Sequence, residues 1–183
     1  MSINEFIFGD TRSTDYRPGH LLQYLYEIQY QNSFIPPQAI KLLAEKLSLS
    51  ESHIHGVIGF YSFLHDSPRG GYDVLISDSI TDHMLGSRDL LDKLCKKLGV
   101  VVGVPRNDGR VTVAATSCTG MCDQGPAMLI NGWAIPLLDE SRINAIAELI
   151  ESDTALEQWP KQFFQVEDNI QRRDMLLTDG FNN

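Results

Sequence analysis

The sequence predicts an α/β domain, in which helices cover a mixed sheet, preceded by a small N-terminal helical bundle. In the first third of the chain, apolar residues recur three or four positions apart, as they do along one face of a helix. After residue 66, short runs rich in β-branched residues alternate with helical patterns, which is typical of helices packed on a sheet. We therefore expect a helical bundle over residues 1–66, the α/β domain over 67–152 and a linker or docking tail over 153–183.

Three helices are predicted in the bundle. Pro18 suits the first turn of one helix, which continues through LLQYLYEIQYQN. The pair Pro36-Pro37 opens the second helix, because proline is tolerated at a helix start. Ser48 and Glu51 have the spacing of a capping box for the third helix, which contains HIHGVIGFYSFL. An aromatic cluster in this last segment is expected to lie in the bundle core: Phe60, Tyr61 and Phe63.

The α/β domain is predicted to begin with the strand YDVLIS and to continue with a second strand, VTVAAT. Between them we expect Ser87 to cap a helix and Gly99 to end it in a left-handed conformation. The segment AMLINGWAIPLL predicts a hairpin that turns at Asn131-Gly132, and Asp139 is expected to cap the last helix. The resulting order, β-α-β-β-β-α, is typical of a thioredoxin-like fold.

The charge balance and the hydropathy exclude several function classes. Lys and Arg total 15 against 24 Asp and Glu, and the net charge of -9 repels nucleic acids and anionic lipids. No apolar run approaches the roughly 18 residues that a membrane span needs, and the first residues lack the basic-then-apolar order of a signal peptide. We therefore expect a cytoplasmic protein that neither binds nucleic acid nor inserts into a membrane.

Cysteine chemistry is predicted in the loop SCTGMCDQGP, between the second and third strands. Cys118 and Cys122 are separated by three residues there, and Gly120 between them allows a tight turn. Two thiolates can share one metal ion, but a tetrahedral zinc site or a [2Fe-2S] cluster needs four ligands. The residues alone leave three alternatives: part of a metal site, a redox pair that closes a disulfide, or two small residues in a tight loop. Cys95, on the apolar side of its helix, is expected to be a small buried residue.

Four segments, in this order, resemble the thioredoxin-like [2Fe-2S] subunit family of respiratory complex I, which has relatives in NAD-reducing hydrogenases and NAD-dependent formate dehydrogenases. The segments are FIPPQAIKLLAEKLSLS, HIHGVIGFYSFL, YDVLISDSITDHMLGSRDLLDKLCKKLGV and SCTGMCDQGPAMLINGWAIPLL. The resemblance covers roughly residues 18–150, and its most specific motifs are V-x-G-F-Y and C-x3-C-D-Q-x-P. It implies the same thioredoxin-like fold that the order of the elements predicts.

The resemblance also implies where a cluster would bind. The family holds its cluster with a C-x4-C pair after the first strand and a C-x3-C pair in the later loop, and Cys118 and Cys122 match the second pair. Ser77 and Asp82 stand where the cysteines of the first pair belong. Because their oxygens are harder donors than thiolates, we expect a [2Fe-2S] cluster to be absent or labile. His83, next to Asp82, is the histidine that could substitute as a ligand.

An accessory role in a larger enzyme follows from the same resemblance. The sequence VEDNIQRRDMLLTDGFNN resembles the connector that leads into the NADH- and FMN-binding domain in fused diaphorase subunits of NAD-reducing hydrogenases. We therefore expect an electron-transfer or structural domain of an NAD-linked flavin and iron–sulfur oxidoreductase, most closely of a hydrogenase diaphorase module, without catalytic activity of its own. The alternatives are a [2Fe-2S] subunit of a formate dehydrogenase or of complex I, and a structural interaction module with no redox centre.

Other cofactors are expected on a partner. The sequence has no G-x-G-x-x-G turn after a strand, so NAD and FMN should bind to a flavin- and NADH-binding subunit or domain of the same complex. Large aromatic residues of the predicted tail are expected to dock on that partner, or on a second copy of the chain when the partner is absent: Trp159, Phe163 and Phe164. Both a separate subunit and part of a fused chain are compatible with this organisation.

Overall fold

The computed structural model describes residues 17–166. A 3₁₀ turn at Pro18–His20 leads into three helices: α1, Leu21–Asn32; α2, Pro37–Leu47; and α3, Glu51–Phe60. Their apolar faces enclose one cluster of buried side chains: Leu21, Leu25, Ile28, Ile35, Ala39, Ile40, Leu43, Leu47, Ile54, Ile58 and Leu64. The bundle therefore has a hydrophobic core of its own, as the apolar periodicity predicts.

The junction between α2 and α3 differs from the predicted capping box. Ser48 has a φ of 54° and ends α2 in a left-handed conformation. Ser50 is the N-cap of α3 instead, and its Oγ accepts a hydrogen bond from the His53 N–H at 3.1 Å. The predicted Ser48–Glu51 capping box is therefore wrong, because the tight turn between the two helices already occupies Ser48.

The aromatic residues at the end of α3 also depart from the prediction. Phe60 is 78% exposed and Tyr61 is 37% exposed, so neither lies in the bundle core. The helix ends at Phe60 and Tyr61 is extended, with a φ of -91°, so the helical periodicity does not continue through the cluster. Leu64 fills the core position at this end of the bundle, and Phe63 is half-buried.

Four strands form a mixed sheet in the order β2-β1-β3-β4. They are β1, Tyr72–Ser77; β2, Val111–Thr116; β3, Met128–Ile130; and β4, Trp133–Ile135. Strand β1 is parallel to β2 and antiparallel to β3, which pairs with β4 in a hairpin. Both residues of the Asn131-Gly132 turn have positive φ, 48° and 84°, as the predicted type I′ turn requires.

Three further helices accompany the sheet: α4, Ile80–Met84; α5, Ser87–Leu98; and α6, Glu140–Glu151. Helices α5 and α6 pack against each other, and α5 also contacts β1 and β2. The core that these elements enclose consists of Tyr72, Val74, Ile76, Leu90, Leu94, Cys95, Leu98, Val111, Val113, Met128, Ile130, Ile135, Leu138, Ile143, Ile146, Ala147, Ile150, Leu156, Trp159 and Phe163. The mixed sheet with its helices confirms the predicted fold class.

The predicted ends of α5 and α6 are partly confirmed. Gly99 ends α5 with a φ of 63°, and Asp139 caps α6 by accepting a hydrogen bond from the Arg142 N–H at 2.7 Å. Ser87 does not cap α5, because it is the first residue of the helix and is buried. The cap position belongs to Gly86, whose φ of 89° is a left-handed conformation that glycine adopts at little cost.

The segment after α6 folds back onto the domain core. Trp159 is 2% exposed and Phe163 is 6% exposed. The Trp159 indole N–H and the Tyr72 hydroxyl both donate hydrogen bonds to the Thr154 carbonyl oxygen, at 2.7 and 2.8 Å. Phe164 is half-buried against the same core. The prediction that these aromatic side chains dock on a partner is therefore wrong for Trp159 and Phe163, whose apolar area this chain already buries.

A polar network connects the bundle to the α/β domain. In α1, the Gln29 side chain accepts a hydrogen bond from the His65 N–H at 2.7 Å and donates one to the Phe63 carbonyl oxygen at 2.6 Å. The His65 Nε2 atom lies 2.9 Å from one carboxylate oxygen of Asp73 in β1, and Arg69 Nη2 lies 2.6 Å from the other. A cleft of about 560 Å³ lies beside this network, between α1 and strands β1 and β3.

Two features of the predicted organisation lie at the limits of the described region. Within residues 17–166, no helix is long and apolar enough to cross a membrane. The connector-like sequence begins at Val166, so nearly all of it lies outside the described residues. The domain boundaries after residues 66 and 152 stay predictions.

Candidate functional site

The candidate site lies at the edge of the sheet where β1 and β2 end. The two strands are parallel, and Ser77, the last residue of β1, pairs with Thr116, the last residue of β2. Because parallel strands end at the same edge, the segments that follow them are brought together. One segment contains α4 with Asp82, and the other is the loop with Cys118 and Cys122. The fold thus places all four predicted ligand positions at one edge.

Cys118 and Cys122 form an exposed pair of free thiols. Their Sγ atoms are 3.3 Å apart, and the Gly120 N–H donates a hydrogen bond to Cys118 Sγ at 3.2 Å. Gly120 has a φ of 83°, which a residue with a side chain adopts only with strain. Met121 is 7% exposed and anchors the loop to the protein. The loop therefore presents both sulfur atoms side by side at the surface.

Ser77 and Asp82 are buried and hydrogen-bonded to each other. Ser77 is 0% exposed and Asp82 is 1% exposed. The Ser77 hydroxyl donates to Asp82 Oδ2 at 2.6 Å, and the Ser79 hydroxyl donates to the same oxygen at 2.5 Å. Ser79 also caps α4, because its Oγ accepts a hydrogen bond from the Asp82 N–H at 3.2 Å. These three residues form what we call the Ser77–Asp82–Ser79 network.

The other carboxylate oxygen of Asp82 faces the cysteine loop. This Oδ1 atom has no hydrogen-bond partner among the described residues. A Cβ atom at position 125 would lie 2.4 Å from it, closer than real Cβ contacts come, so Gly125 leaves the space that the carboxylate occupies. Asp82 therefore lies directly against the backbone of the loop that carries the two thiols.

Ser79 is the polar link between the thiols and the buried oxygens. The Cys122 thiol lies 4.0 Å from Ser79 Oγ, a long hydrogen bond in which sulfur is the donor. The hydrogen bond with Cys118 raises the pKa of the Cys122 thiol, and Ser79 offsets only part of this effect. Cys122 is therefore largely protonated at neutral pH when no ligand is bound.

The residues present do not fit a four-thiolate [2Fe-2S] cluster. Such a cluster takes four cysteine ligands, and Cys118 and Cys122 are the two cysteines at this edge of the sheet. The oxygens of Ser77 and Asp82 are harder donors, and they already bond to each other. Besides Asp82 Oδ1, three buried hydroxyl oxygens in the surrounding segments have no hydrogen-bond partner within the described part of the chain: those of Ser87, Thr116 and Thr119.

The two other residues singled out in the sequence are His83 and Cys95. His83 is exposed on α4, and no group of three or more His, Cys, Asp and Glu side chains within residues 17–166 is arranged to hold a metal ion. That His83 could substitute as a ligand stays a prediction. Cys95 is a residue of α5 whose side chain is buried in the domain core, and burial raises the pKa of its thiol. The prediction that Cys95 is a small buried residue is confirmed.

Neither the role of Ser79 nor the contact of Gly125 with Asp82 was predicted from the sequence. The spacing Ser79-x-x-Asp82 is a helix-capping pattern, so Ser79 could have been found from the sequence. The role of Gly125 depends on the distant Asp82 carboxylate packed against it, and no local pattern predicts such a contact.

Comparison with known proteins assigns the fold. A family model described as thioredoxin-like [2Fe-2S] ferredoxin matches residues 9–151. One of the NADH-quinone oxidoreductase subunits of Aquifex aeolicus (strain VF5) is 31% identical over 126 residues, which are 69% of this chain and 79% of that protein. The corresponding NADH-quinone oxidoreductase protein of Escherichia coli (strain K12) is 34% identical over 110 residues, which are 60% of this chain and 66% of that protein.

Solved structures of an NAD+-reducing [NiFe]-hydrogenase are similar as well. The air-oxidized structure has a TM-score of 0.70 and 33% identity, over 81% of this chain and 26% of that chain. The H2-reduced structure has a TM-score of 0.73 and 34% identity, over 87% of this chain and 27% of that chain. The chain thus spans about a quarter of the length of the hydrogenase chains that it matches. These comparisons confirm the thioredoxin-like fold that the order of the elements predicts.

Proposed function

Because the chain belongs to the family of thioredoxin-like [2Fe-2S] ferredoxins, we propose that it is an accessory domain of an NAD-linked flavin and iron–sulfur oxidoreductase, most closely of the diaphorase module of an NAD-reducing hydrogenase. The similarity to the NAD+-reducing hydrogenase chains carries this proposal, since it extends over 81% and 87% of this chain. The matched region is only 26% and 27% of those chains, as expected for one domain of a larger protein.

The second candidate is a separate subunit of an NADH-quinone oxidoreductase. The relative from Aquifex aeolicus is matched over 79% of its own length, so a protein of similar size serves as a subunit there. In both candidates the chain works as a part of a larger NAD-linked enzyme.

We infer that within this enzyme the domain is a structural and interaction module rather than an electron carrier. The support is the donor set, in which buried oxygens take the two positions that the resemblance assigns to thiolates. The Ser77–Asp82–Ser79 network ties the end of β1 to the start of α4. The two hydroxyl groups that bond to the Asp82 side chain therefore link these segments without iron.

The NAD and FMN sites are proposed to lie on a partner, a flavin- and NADH-binding subunit or domain of the same complex. The sequence has no G-x-G-x-x-G turn that would bind the pyrophosphate of a dinucleotide. A cytoplasmic location is part of this proposal, because the reaction of such a complex draws on cytoplasmic NADH.

Activity and cofactor measurements test the proposal together. The purified, flavin-free chain should not reduce an artificial acceptor with NADH, because hydride transfer needs a cofactor site that this chain does not encode. When a tagged chain is isolated from its native host, the eluate should contain FMN and should reduce the same acceptor with NADH. Turnover by the isolated chain, or an eluate without FMN and NADH oxidation, would contradict the accessory role.

Iron analysis separates the structural role from electron transfer. The anaerobically purified chain should contain far less iron and acid-labile sulfide than one [2Fe-2S] cluster per chain. A full and stable cluster would overturn the structural role while leaving the assignment to an NAD-linked enzyme intact.

A further inference from the structure

The exposed thiol pair is the chemical feature that a structural role leaves unused. The chain has three cysteines, and all are free. Cys118 and Cys122 have their sulfur atoms 3.3 Å apart, whereas the Cys95 side chain of α5 is buried in the domain core. Because Ser77 and Asp82 bring no sulfur, the pair lacks the two further cysteine ligands that a cluster takes.

We propose that Cys118 and Cys122 form a reversible modification site, at which a low-molecular-weight disulfide of the glutathione type closes an intrachain disulfide. One cysteine thiolate attacks a sulfur atom of the small disulfide, so that a mixed disulfide forms and one small thiolate leaves. The second cysteine thiolate then attacks the protein sulfur of the mixed disulfide and displaces the second small thiolate. The protein loses two electrons and two protons, and the small disulfide is reduced to two thiols.

The geometry of the loop favours this closure. A disulfide has a sulfur–sulfur distance of about 2.05 Å, so the two sulfur atoms must approach each other by about 1.3 Å from their separation of 3.3 Å. Both cysteines are exposed, which gives a small disulfide direct access to them. Gly120 already folds the three intervening residues into a turn that brings the sulfurs together.

Closure of the disulfide would have a definite consequence for the site. It consumes both sulfur donors, so the oxidised protein has no thiolate left to bind a metal at the end of β2. The proposal goes beyond the accessory role in an oxidoreductase and does not depend on it, since the reaction requires only the two thiols and their separation.

The proposal is tested by oxidising the full chain with glutathione disulfide. Reduced protein is freed of reductant under anaerobic conditions and incubated with glutathione disulfide. The protein is then denatured, the remaining thiols are alkylated, and the masses of its peptides are measured. Two of the three thiols should disappear together, and the peptide with Cys118 and Cys122 should become lighter by two hydrogen atoms. The mixed disulfide should be less than about a tenth of the oxidised protein, because the neighbouring thiol acts at a high effective concentration. An excess of reduced glutathione should restore both thiols.

Matched variants distinguish closure from general thiol oxidation. Cys118→Ser and Cys122→Ser should each stop at the mixed disulfide on the remaining cysteine, and Cys95→Ala should behave like the parent protein. The proposal is overturned if the parent accumulates the mixed disulfide, if Cys95 reacts in place of the pair, or if the pair stays reduced while a denatured sample becomes oxidised.

Discussion

At the scale of single residues, the atoms at two positions decide whether the site can hold iron. Ser77→Cys combined with Asp82→Cys should allow anaerobic reconstitution of a [2Fe-2S] cluster, because four thiolates would then stand at the ends of β1 and β2. Visible absorption and the EPR signal of the reduced protein measure the cluster, and both should be far stronger than in the parent protein. Adding Cys122→Ser is the matched control, since it removes one ligand from the exposed loop and should abolish the gain.

The opposite result of the same experiment would be decisive. If the parent protein holds a full, stable cluster and the double variant gains nothing, then the oxygen donors of Ser77 and Asp82 are competent ligands. The Ser77–Asp82–Ser79 network would in that case have to open when iron binds.

At the scale of elements, α4 and the cysteine loop pack closely because position 125 has no side chain. Gly125→Ala would place a Cβ atom 2.4 Å from Asp82 Oδ1, and overpacking of this kind lowers the free energy of unfolding by about 1–3 kcal/mol. In a protein that also carries Asp82→Ala, the opposing carboxylate is absent, so Gly125→Ala should cost much less. Denaturant unfolding of the parent, the two single variants and the double variant measures this coupling.

A second glycine, Gly59, provides the control for this double-mutant comparison. Gly59 lies in α3 with no atom within 4 Å of a Cβ at that position, so Gly59→Ala should stabilise the protein by about 0.5–1 kcal/mol. If the effects of Gly125→Ala and Asp82→Ala are simply additive, the carboxylate does not press against the loop.

The segment after α6 is expected to be part of the folded domain. Trp159→Ala should lower the free energy of unfolding by about 3–5 kcal/mol, because it removes a side chain that is only 2% exposed and leaves a cavity beside Tyr72. Thermal or denaturant unfolding measures the loss. Trp133→Ala is the matched control, since that indole is 46% exposed and should cost much less. Equal losses in the two variants would show that Trp159 is not a core residue.

The elements also show which parts of the structure a sequence can predict. The Asn131-Gly132 turn and the Asp139 cap depend on the conformation of a few neighbouring residues, and both are predicted correctly. Ser48 has the right spacing for a capping box, but it instead ends α2 in a left-handed conformation. The burial of Trp159 and the space at Gly125 depend on residues distant in sequence, so no local pattern reveals them. The family resemblance implied that Ser77 and Asp82 lie near the cysteine pair. The parallel pairing of β1 and β2 accounts for this, because the two strands end at the same edge of the sheet.

At the scale of the whole molecule, two hydrophobic cores are joined by a polar connection. The side chains of the bundle form one buried cluster and those of the α/β domain form another. Between them, His65 and Arg69 hold the two carboxylate oxygens of Asp73, and Gln29 of α1 binds the backbone of His65. The orientation of the bundle on the domain should therefore depend on the charge of Asp73.

This dependence predicts how the junction responds to acid. Burial by itself would raise the pKa of the Asp73 carboxyl, but the hydrogen bond with His65 and the charge of Arg69 outweigh it, and the pKa lies below its usual value of 3.8. Because the pKa of Asp73 is lower in the folded state than in the unfolded state, its ionised carboxylate stabilises the folded protein. This contribution is complete at pH values above the unfolded-state pKa. The contribution is lost as the pH falls from 3.8 through the lower folded-state pKa. Asp73→Asn should therefore reduce the dependence of stability on pH in this acidic range.

At neutral pH the same variant should weaken the junction itself. Asp73→Asn removes the charge that Arg69 faces in a half-buried position, and we expect a loss of about 1–3 kcal/mol in the free energy of unfolding. Limited proteolysis should then cut faster between residues 61 and 71, the stretch that joins α3 to β1. Asp78→Asn is the matched control, because Asp78 forms an exposed ion pair with Arg88 outside this stretch and should leave the cleavage rate unchanged. If Asp73→Asn changes neither the acid dependence nor the cleavage rate, packing alone must hold the bundle against the sheet, and the Asp73 carboxylate would not be what couples the two cores.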